Sequence, residues 1–149
     1  MRIHLPFRND YDITVRASDK GQEYWDILRR RWLLLTPEEW VRQLLIHYFI
    51  EDLKYPKGRI SIEKEIIYGS LSKRYDIVVY DESLNPWLLV ECKSPEVPIN
   101  EKVLHQLLIY HQQLQAPFWL LSNGNDTYCV QLEKGEMIAL KQLPSYPNL

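Results

Sequence analysis

Apolar residues recur at three- and four-residue spacing after Thr36, which is typical of a helix with one buried stripe. Thr36 suits the N-cap position and Pro37 the first helical turn, and two acids follow where the helix dipole favours them. The pattern therefore predicts a helix from Thr36 to near Lys54, before the turn YPKG. Its stripe consists of Val41, Leu44, Leu45, Tyr48, Phe49 and Leu53.

Alternation of apolar and polar residues over 59–70 predicts a strand with one solvated face. Two apolar runs, Lys73 to Tyr80 and Trp87 to Lys93, predict strands joined by the turn DESLNP. A second helix is predicted from Asn100 to about Gln115, where Pro117 stops it. The segments PFWLLS, TYCVQLE and EMIAL then predict three short strands.

This order predicts an α/β (α+β) fold, in which a mixed central sheet is flanked by two helices. The second helix is a crossover, so the third and fourth strands should be parallel and their connection right-handed. Residues 1–23 are interpreted as an extended lead-in holding a short strand around Tyr11 to Val15. Residues 24–35 predict either a short helix or an irregular apolar segment. The length favours one domain over 1–149.

Composition excludes several classes of protein. The net charge of −2 does not indicate a nucleic-acid partner, although Arg29–Arg31 and a second group, Lys54, Lys57 and Arg59, could form a local basic face or simply be solvated. Two cysteines without a CxxC motif indicate neither a disulfide framework nor a thiolate metal site. No apolar stretch approaches the ~20 residues of a membrane span. A cytoplasmic protein with no membrane partner is expected.

Charged residues interrupt the two central apolar runs. Asp76 lies inside the first run, and Glu91 and Lys93 end the second. Side chains two apart share one face of a strand, so Glu91 and Lys93 point to the same side. If the hairpin register brings Asp76 beside Glu91, two carboxylates at ~4 Å repel by roughly 4 kcal/mol at an effective dielectric of about 20. They then need a cation: either Lys93 in a partly buried salt bridge, or a hard divalent ion such as Mg²⁺ that activates water beside a phosphate.

The spacing from Asp76 to Glu91-Cys92-Lys93 resembles the PD-(D/E)xK nuclease superfamily. Five blocks in order narrow the resemblance to the N-terminal nuclease domain of type I restriction enzyme R subunits, in a small stand-alone version. The likeness covers about residues 24–133, and the blocks are TPEEWVRQLLIHYFIEDLKYPKG, KRYDIVVYD, LLVECKSPE, HQLLIYH and LLSNGNDTYCV. It implies a restriction-endonuclease-like core with αβββαβ order.

The resemblance also implies roles for individual residues. Asp76, Glu91 and the main-chain carbonyl of Cys92 would bind Mg²⁺, with Mn²⁺ as a substitute, and Lys93 would be the catalytic lysine. Gln106 and Tyr110 match a QxxxY motif on the crossover helix. At i and i+4 these two share a helical face.

An acid on the first helix would complete such a site. Either Glu38 or Glu39 could serve, and Glu39 is preferred, although an acid that stabilises the first turn of the helix explains both equally well.

Two departures from the family pattern bear on function. Tyr75 replaces the proline before Asp76, and no GxxxxGK[ST] loop occurs in these residues. The leading hypothesis is a Mg²⁺-dependent DNA endonuclease that would need a homodimer, or separate motor and specificity subunits, to cut both strands. The alternative is a non-catalytic module on the same fold that binds DNA or docks a partner.

Overall fold

The computed structural model describes residues 1–110 and 116–147, with only the backbone at Tyr68, Leu71 and Tyr110. Three strands come first: β1 (Val15–Ser18), β2 (Gly21–Asp26) and β3 (Arg31–Leu34). The main body follows as α1 (Pro37–His47), β4 (Ile60–Tyr68), β5 (Leu71–Tyr80), β6 (Pro86–Cys92), α2 (Glu101–Tyr110), β7 (Phe118–Ser122), β8 (Thr127–Glu133) and β9 (Glu136–Ala139). Short π and 3₁₀ turns, Tyr48–Asp52 and Lys57–Arg59, connect α1 to β4.

The main body is a six-stranded sheet in the order β4-β5-β6-β7-β8-β9. The pair β6 and β7, which α2 connects, is parallel, and the other described pairs of this sheet are antiparallel. This confirms the predicted mixed sheet with αβββαβ order, including the parallel third and fourth strands of the main body. None of the helices in the described part of the chain is long and apolar enough to cross a membrane.

Alternating side chains of the central strands supply two separate cores. Ile77 and Val90 pack in the cluster that contains the apolar stripe of α1. Val78 and Leu89 pack in the second cluster, with Leu104 of α2. Strands buried on both faces read as continuous apolar runs, which is why each charged residue within them stands out.

The structure differs from the sequence prediction over residues 1–35. The alternatives offered for 24–35, a helix or an irregular segment, are both wrong, because β2 and β3 form an antiparallel pair in which Trp25 lies opposite Trp32. With β1 they make a separate three-stranded sheet, and β1 begins at the last residue of the strand predicted around Tyr11 to Val15. The hairpin could not be predicted from the run YWDILRRRWLLL, because its turn contains neither of the usual turn residues, glycine and proline.

The turn of the hairpin is closed by Asp26 instead. Its side chain is fully buried, and Oδ1 accepts hydrogen bonds from the backbone N–H groups of Leu28 and Arg29 at 2.8 and 2.9 Å. An aspartate that binds the backbone two residues ahead mimics a turn on its own. Arg30 then adopts φ 55°, which completes the reversal.

Thr36→Ala is expected to lower the free energy of unfolding by about 1 kcal/mol. Thr36 Oγ1 accepts a hydrogen bond from Glu39 N at 3.1 Å, which satisfies one of the unpaired donors of α1. Urea denaturation followed by circular dichroism measures the change. Thr36→Ser keeps the acceptor and should unfold near the wild-type midpoint; equal losses in both variants would show that the cap is unimportant.

Candidate active site

The two central strands separate at the charged residues. The ladder between β5 and β6 begins at the pair Ile77 and Val90, so it does not include Asp76 and Glu91. Beyond that point β6 remains paired with β7, while β5 remains paired with β4. Asp76 and Glu91 lie just beyond the last pair of this ladder, and we call this end of the β5–β6 pair the notch.

Hydrogen bonds from side chains and backbone hold Asp76 where the ladder has ended. Its Oδ2 accepts a hydrogen bond from the backbone N–H of Cys92 at 2.6 Å, and Oδ1 lies 3.2 Å from Nη2 of Arg42. Burial is the largest influence and raises the pKa of Asp76, against the Cys92 N–H, Arg42 and Lys93, which lower it. The net direction is upward, so the ionised carboxylate is held in a site that favours its neutral form.

Glu91 and Lys93 lie on the neighbouring strand end. Lys93 Nζ is 3.5 Å from Glu91 Oε1, and 39% of the lysine side chain remains exposed. Burial raises the pKa of Glu91 most, the charges of Asp76 and Glu38 raise it further, and Lys93 opposes them. The ammonium group of Lys93 therefore does not offset the effect of burial on the pKa of Glu91.

The acids at the start of α1 have different neighbours. Glu39 is bound by the guanidinium groups of Arg29 and Arg42 and by the hydroxyl of Tyr24, with Arg29 Nη2 at 3.0 Å. Glu38 is exposed, yet close enough for its charge to raise the pKa values of Glu91 and the buried Cys92 thiol. The charge of Glu38 therefore acts on Glu91, whereas Glu39 is linked to Asp76 through the shared partner Arg42.

A charge network lies behind the notch. Arg29 and Arg42 share two glutamates: Glu39, and Glu63, which lies 3.4 Å from Arg29 and 3.2 Å from Arg42. Arg42 also reaches Asp76, so the network ends at the candidate site. The Arg42 side chain is only 5% exposed, and its Nε makes no hydrogen bond to any residue that the structure describes. Because burial alone would lower the pKa of Arg42, it is the acids, Glu39 first, that keep its pKa raised.

The remaining predicted site residues lie on α2. Gln106 is exposed, and within residues 1–110 and 116–147 it makes no hydrogen bond to Asp76, Glu91 or Lys93. Tyr110 is the last residue of α2, and its side chain lies outside the part of the chain that the structure describes. Among the described residues, the contacts therefore link Asp76 to the strand end that carries Glu91 and Lys93, and they do not include Gln106.

Comparison with protein families gives a match that includes the whole site. The sequence model described as "Type I restriction enzyme R protein N terminus" matches residues 37–147, from the first residue of α1 to the C-terminal tail. The chain belongs to this family. Membership agrees with the resemblance in the sequence, although the match begins after β1–β3 and so leaves the three-stranded sheet outside it.

Comparison with solved structures gives a match of low sequence identity. A DUF820 protein from Anabaena variabilis ATCC 29413, described as a candidate nuclease, aligns over 85% of this chain and 80% of its own, with a TM-score of 0.49 and 10% identity. Comparison with curated proteins gave no significant match.

Sequence reasoning did not identify the basic half of the site. Arg42 and Gln43 are both buried, and they lie within the apolar stripe of α1. Two polar residues between Val41 and Leu44 would normally indicate a solvated face of the helix. Glu38 and Glu39, however, precede Arg42 by four and three residues, the spacing at which helix side chains form ion pairs. A buried arginine needs such partners, so this local pattern was a usable signal.

The donor set of the notch suits a hard divalent cation. Two carboxylates with raised pKa values and a main-chain carbonyl at Cys92 are oxygen donors of the kind that Mg²⁺ prefers, with water completing its shell. In the described ranges no group of three or more His, Cys, Asp and Glu side chains is arranged to hold a metal ion. Asp76, Glu91 and the Cys92 carbonyl would hold such a cation together with solvent. Both oxygens of Asp76 also accept hydrogen bonds, Oδ1 from Arg42 and Oδ2 from the Cys92 N–H, so the ion would share this carboxylate with them.

Proposed function

We propose that this chain is a Mg²⁺-dependent DNA endonuclease domain that hydrolyses phosphodiester bonds. One observation carries the proposal: Asp76, Glu91 and Lys93 converge where β5 and β6 separate, in a chain of the type I restriction enzyme R protein N-terminus family. Burial raises the pKa values of both acids despite Arg42 beside Asp76 and Lys93 beside Glu91, and a bound cation would favour their ionised forms.

Each residue has a distinct proposed role. Asp76, Glu91 and the Cys92 carbonyl would hold Mg²⁺, which when bound supplies an acidified water and charge neutralisation at a phosphate. Lys93 orients the attacking water and stabilises the negative charge that develops on the phosphate oxygens. Glu38 is preferred over Glu39 as the additional acid, because the carboxylate of Glu39 is already held by two arginines and a tyrosine.

A second candidate function is a non-catalytic DNA-binding module on the same fold. It is favoured by Arg42, which pairs with Asp76 and thereby provides a metal-free partner for one of the two acids. Under that hypothesis Glu91 and Lys93 form a simple salt bridge, and no cation is required.

Plasmid nicking distinguishes the two functions. Supercoiled plasmid is incubated with the wild type, Asp76→Asn and Glu91→Gln, each with Mg²⁺, Mn²⁺, Ca²⁺ or EDTA. Conversion to the open circle by the wild type with Mg²⁺ or Mn²⁺, and by neither variant, supports the endonuclease. DNA binding without cleavage under every metal condition would replace it with the binding module.

Glu91→Gln is also expected to raise the melting temperature of the metal-free protein at pH 7. Glu91 has a raised pKa in the folded state, so its ionisation above that pKa lowers native stability, and a neutral isostere removes this effect. Conversely, Mg²⁺ should stabilise the wild type, by about 2.7 kcal/mol at a hundred times its Kd, and the variant much less.

Thermal unfolding in EDTA and in a Mg²⁺ series measures both effects. A fall in the metal-free melting temperature of Glu91→Gln, together with a wild type that does not respond to Mg²⁺, would show that Glu91 serves only as the salt-bridge partner of Lys93.

A further inference from the structure

The two basic clusters of the sequence meet in a cleft away from the notch. Arg30, on the turn between β2 and β3, and Lys57, on the 3₁₀ turn before β4, both line a cleft of about 670 Å³. Both side chains are exposed, and among the described residues neither forms an ion pair. No acidic side chain in the described ranges lines this cleft, so it carries two uncompensated positive charges in a chain whose net charge is −2.

The remainder of the lining is apolar and aromatic. The half-buried indole of Trp25 lies beside Ile27, Leu28 and the buried Ile60, and Gly58 leaves open space where a side chain would otherwise project. The other tryptophan of the hairpin, Trp32, is already covered, since the Arg16 guanidinium lies 4.0 Å from its ring centre. Trp25 packs edge-to-face on Trp32, with ring centroids 5.6 Å apart, and it is the aromatic residue that lines the cleft.

The cationic groups are carried by ordered turns. Arg30 N donates a hydrogen bond to Asp26 O at 2.7 Å, in the turn that the buried Asp26 carboxylate closes. Lys57 begins a turn closed by the hydrogen bond from Arg59 N to Pro56 O at 2.9 Å. A binding surface on fixed turns loses little conformational entropy when a ligand arrives.

We propose that this cleft binds one nucleotide of a single nucleic acid strand, with its base against Trp25 and its phosphate between Arg30 and Lys57. The volume lies in the range of ligand pockets, and a cleft lined by one aromatic ring and two cationic side chains suits a planar base joined to a phosphate. A paired duplex keeps its base faces stacked, so only an unpaired strand offers this combination. The cleft is separate from the notch, and half of it comes from β2 and its turn, outside the matched family region.

Fluorescence anisotropy in EDTA tests the site without cleavage. The probes are a labelled oligothymidylate of about ten nucleotides, an abasic strand with the same phosphates, an RNA strand and a duplex. We expect the wild type to bind the single strands more tightly than the abasic strand or the duplex, and the DNA and RNA arms identify the preferred sugar. Trp25→Ala should weaken binding roughly 5- to 150-fold, the range for one stacked base, while Trp25→Phe retains most of it.

A double variant that removes both positive charges of the cleft tests the site independently of Trp25. Arg30→Gln with Lys57→Gln should weaken binding at least tenfold and reduce the salt slope by about 0.7 for each phosphate that the protein no longer neutralises. The matched control is Lys134→Gln with Lys141→Gln, which removes two exposed lysines elsewhere. Equal losses in both double variants, equal affinity for the abasic strand, or no binding by the wild type would each overturn the site.

The same assay separates this site from the proposed nuclease. Strand binding in a protein that never nicks plasmid would count against the endonuclease alone, and nicking by a protein without strand binding would count against the cleft alone.

Discussion

Lys93→Ala is expected to reduce Mg²⁺-dependent DNA cleavage by at least a hundredfold while the fold is retained. Loss of one preorganised group that stabilises transition-state charge typically costs 10²- to 10³-fold, here about 3–4 kcal/mol of barrier. The structural cost is small: Lys93 is 39% exposed and lies 3.5 Å from Glu91, and exposed pairs of this kind contribute about 1 kcal/mol or less. The melting temperature should therefore change by no more than about 4 °C.

Two further measurements distinguish a catalytic lysine from a structural one. Lys93→Ala should still be stabilised by Mg²⁺, because Asp76, Glu91 and the Cys92 carbonyl are unchanged. Lys141→Ala, which removes an exposed lysine elsewhere, should cleave at the wild-type rate. If Lys93→Ala cleaves within about threefold of the wild type, a factor worth less than 1 kcal/mol, the role assigned to this lysine is wrong.

Arg42→Ala is expected to have the largest effect on stability, a loss of about 3–5 kcal/mol. The substitution leaves Glu39 and Asp76 partly buried without their shared cation, and Glu63 retains only Arg29 among the described residues. Asp76 loses its ion pair with Arg42, and Glu39 and Glu63 then share Arg29; removing one partner of a buried pair costs more than the pair contributed. Urea denaturation at pH 7 in EDTA measures the loss.

Comparison variants test whether the network or the volume of the side chain is responsible. Arg42→Lys keeps the positive charge, but an ammonium group cannot contact three acids as the planar guanidinium does. The loss in the free energy of unfolding should therefore be smaller than that of Arg42→Ala but larger than zero. Arg2→Ala removes an exposed ion pair, 3.5 Å from Asp126, and should change stability by less than 1 kcal/mol. A loss below 1 kcal/mol for Arg42→Ala would show that the acids are solvated without it.

Features that depend on residues a few positions apart in the chain could be predicted from the sequence. The cap at Thr36, the stripe of α1 and the apolar runs of β5 and β6 each follow from side chains a few positions apart, and the structure has them where the sequence predicts. By contrast, the hairpin of β2 and β3 depends on Asp26, a turn residue recognised only by the amides that its carboxylate meets. The apolar residues on either side of Arg29–Arg31 show no periodicity that would distinguish a strand from a helix.

The candidate site was predictable in its acids and lysine, but not in their surroundings. Sequence alone determined the αβββαβ order and the placement of Asp76, Glu91 and Lys93 on adjacent strands, since strand periodicity and turn chemistry are local. Only the tertiary structure decided where β5 and β6 part, that Arg42 binds Asp76 from α1, and that Glu39 is held by two arginines and a tyrosine. These depend on the packing of α1 and the three-stranded sheet against the main sheet, through contacts between residues up to 34 positions apart that no local pattern encodes.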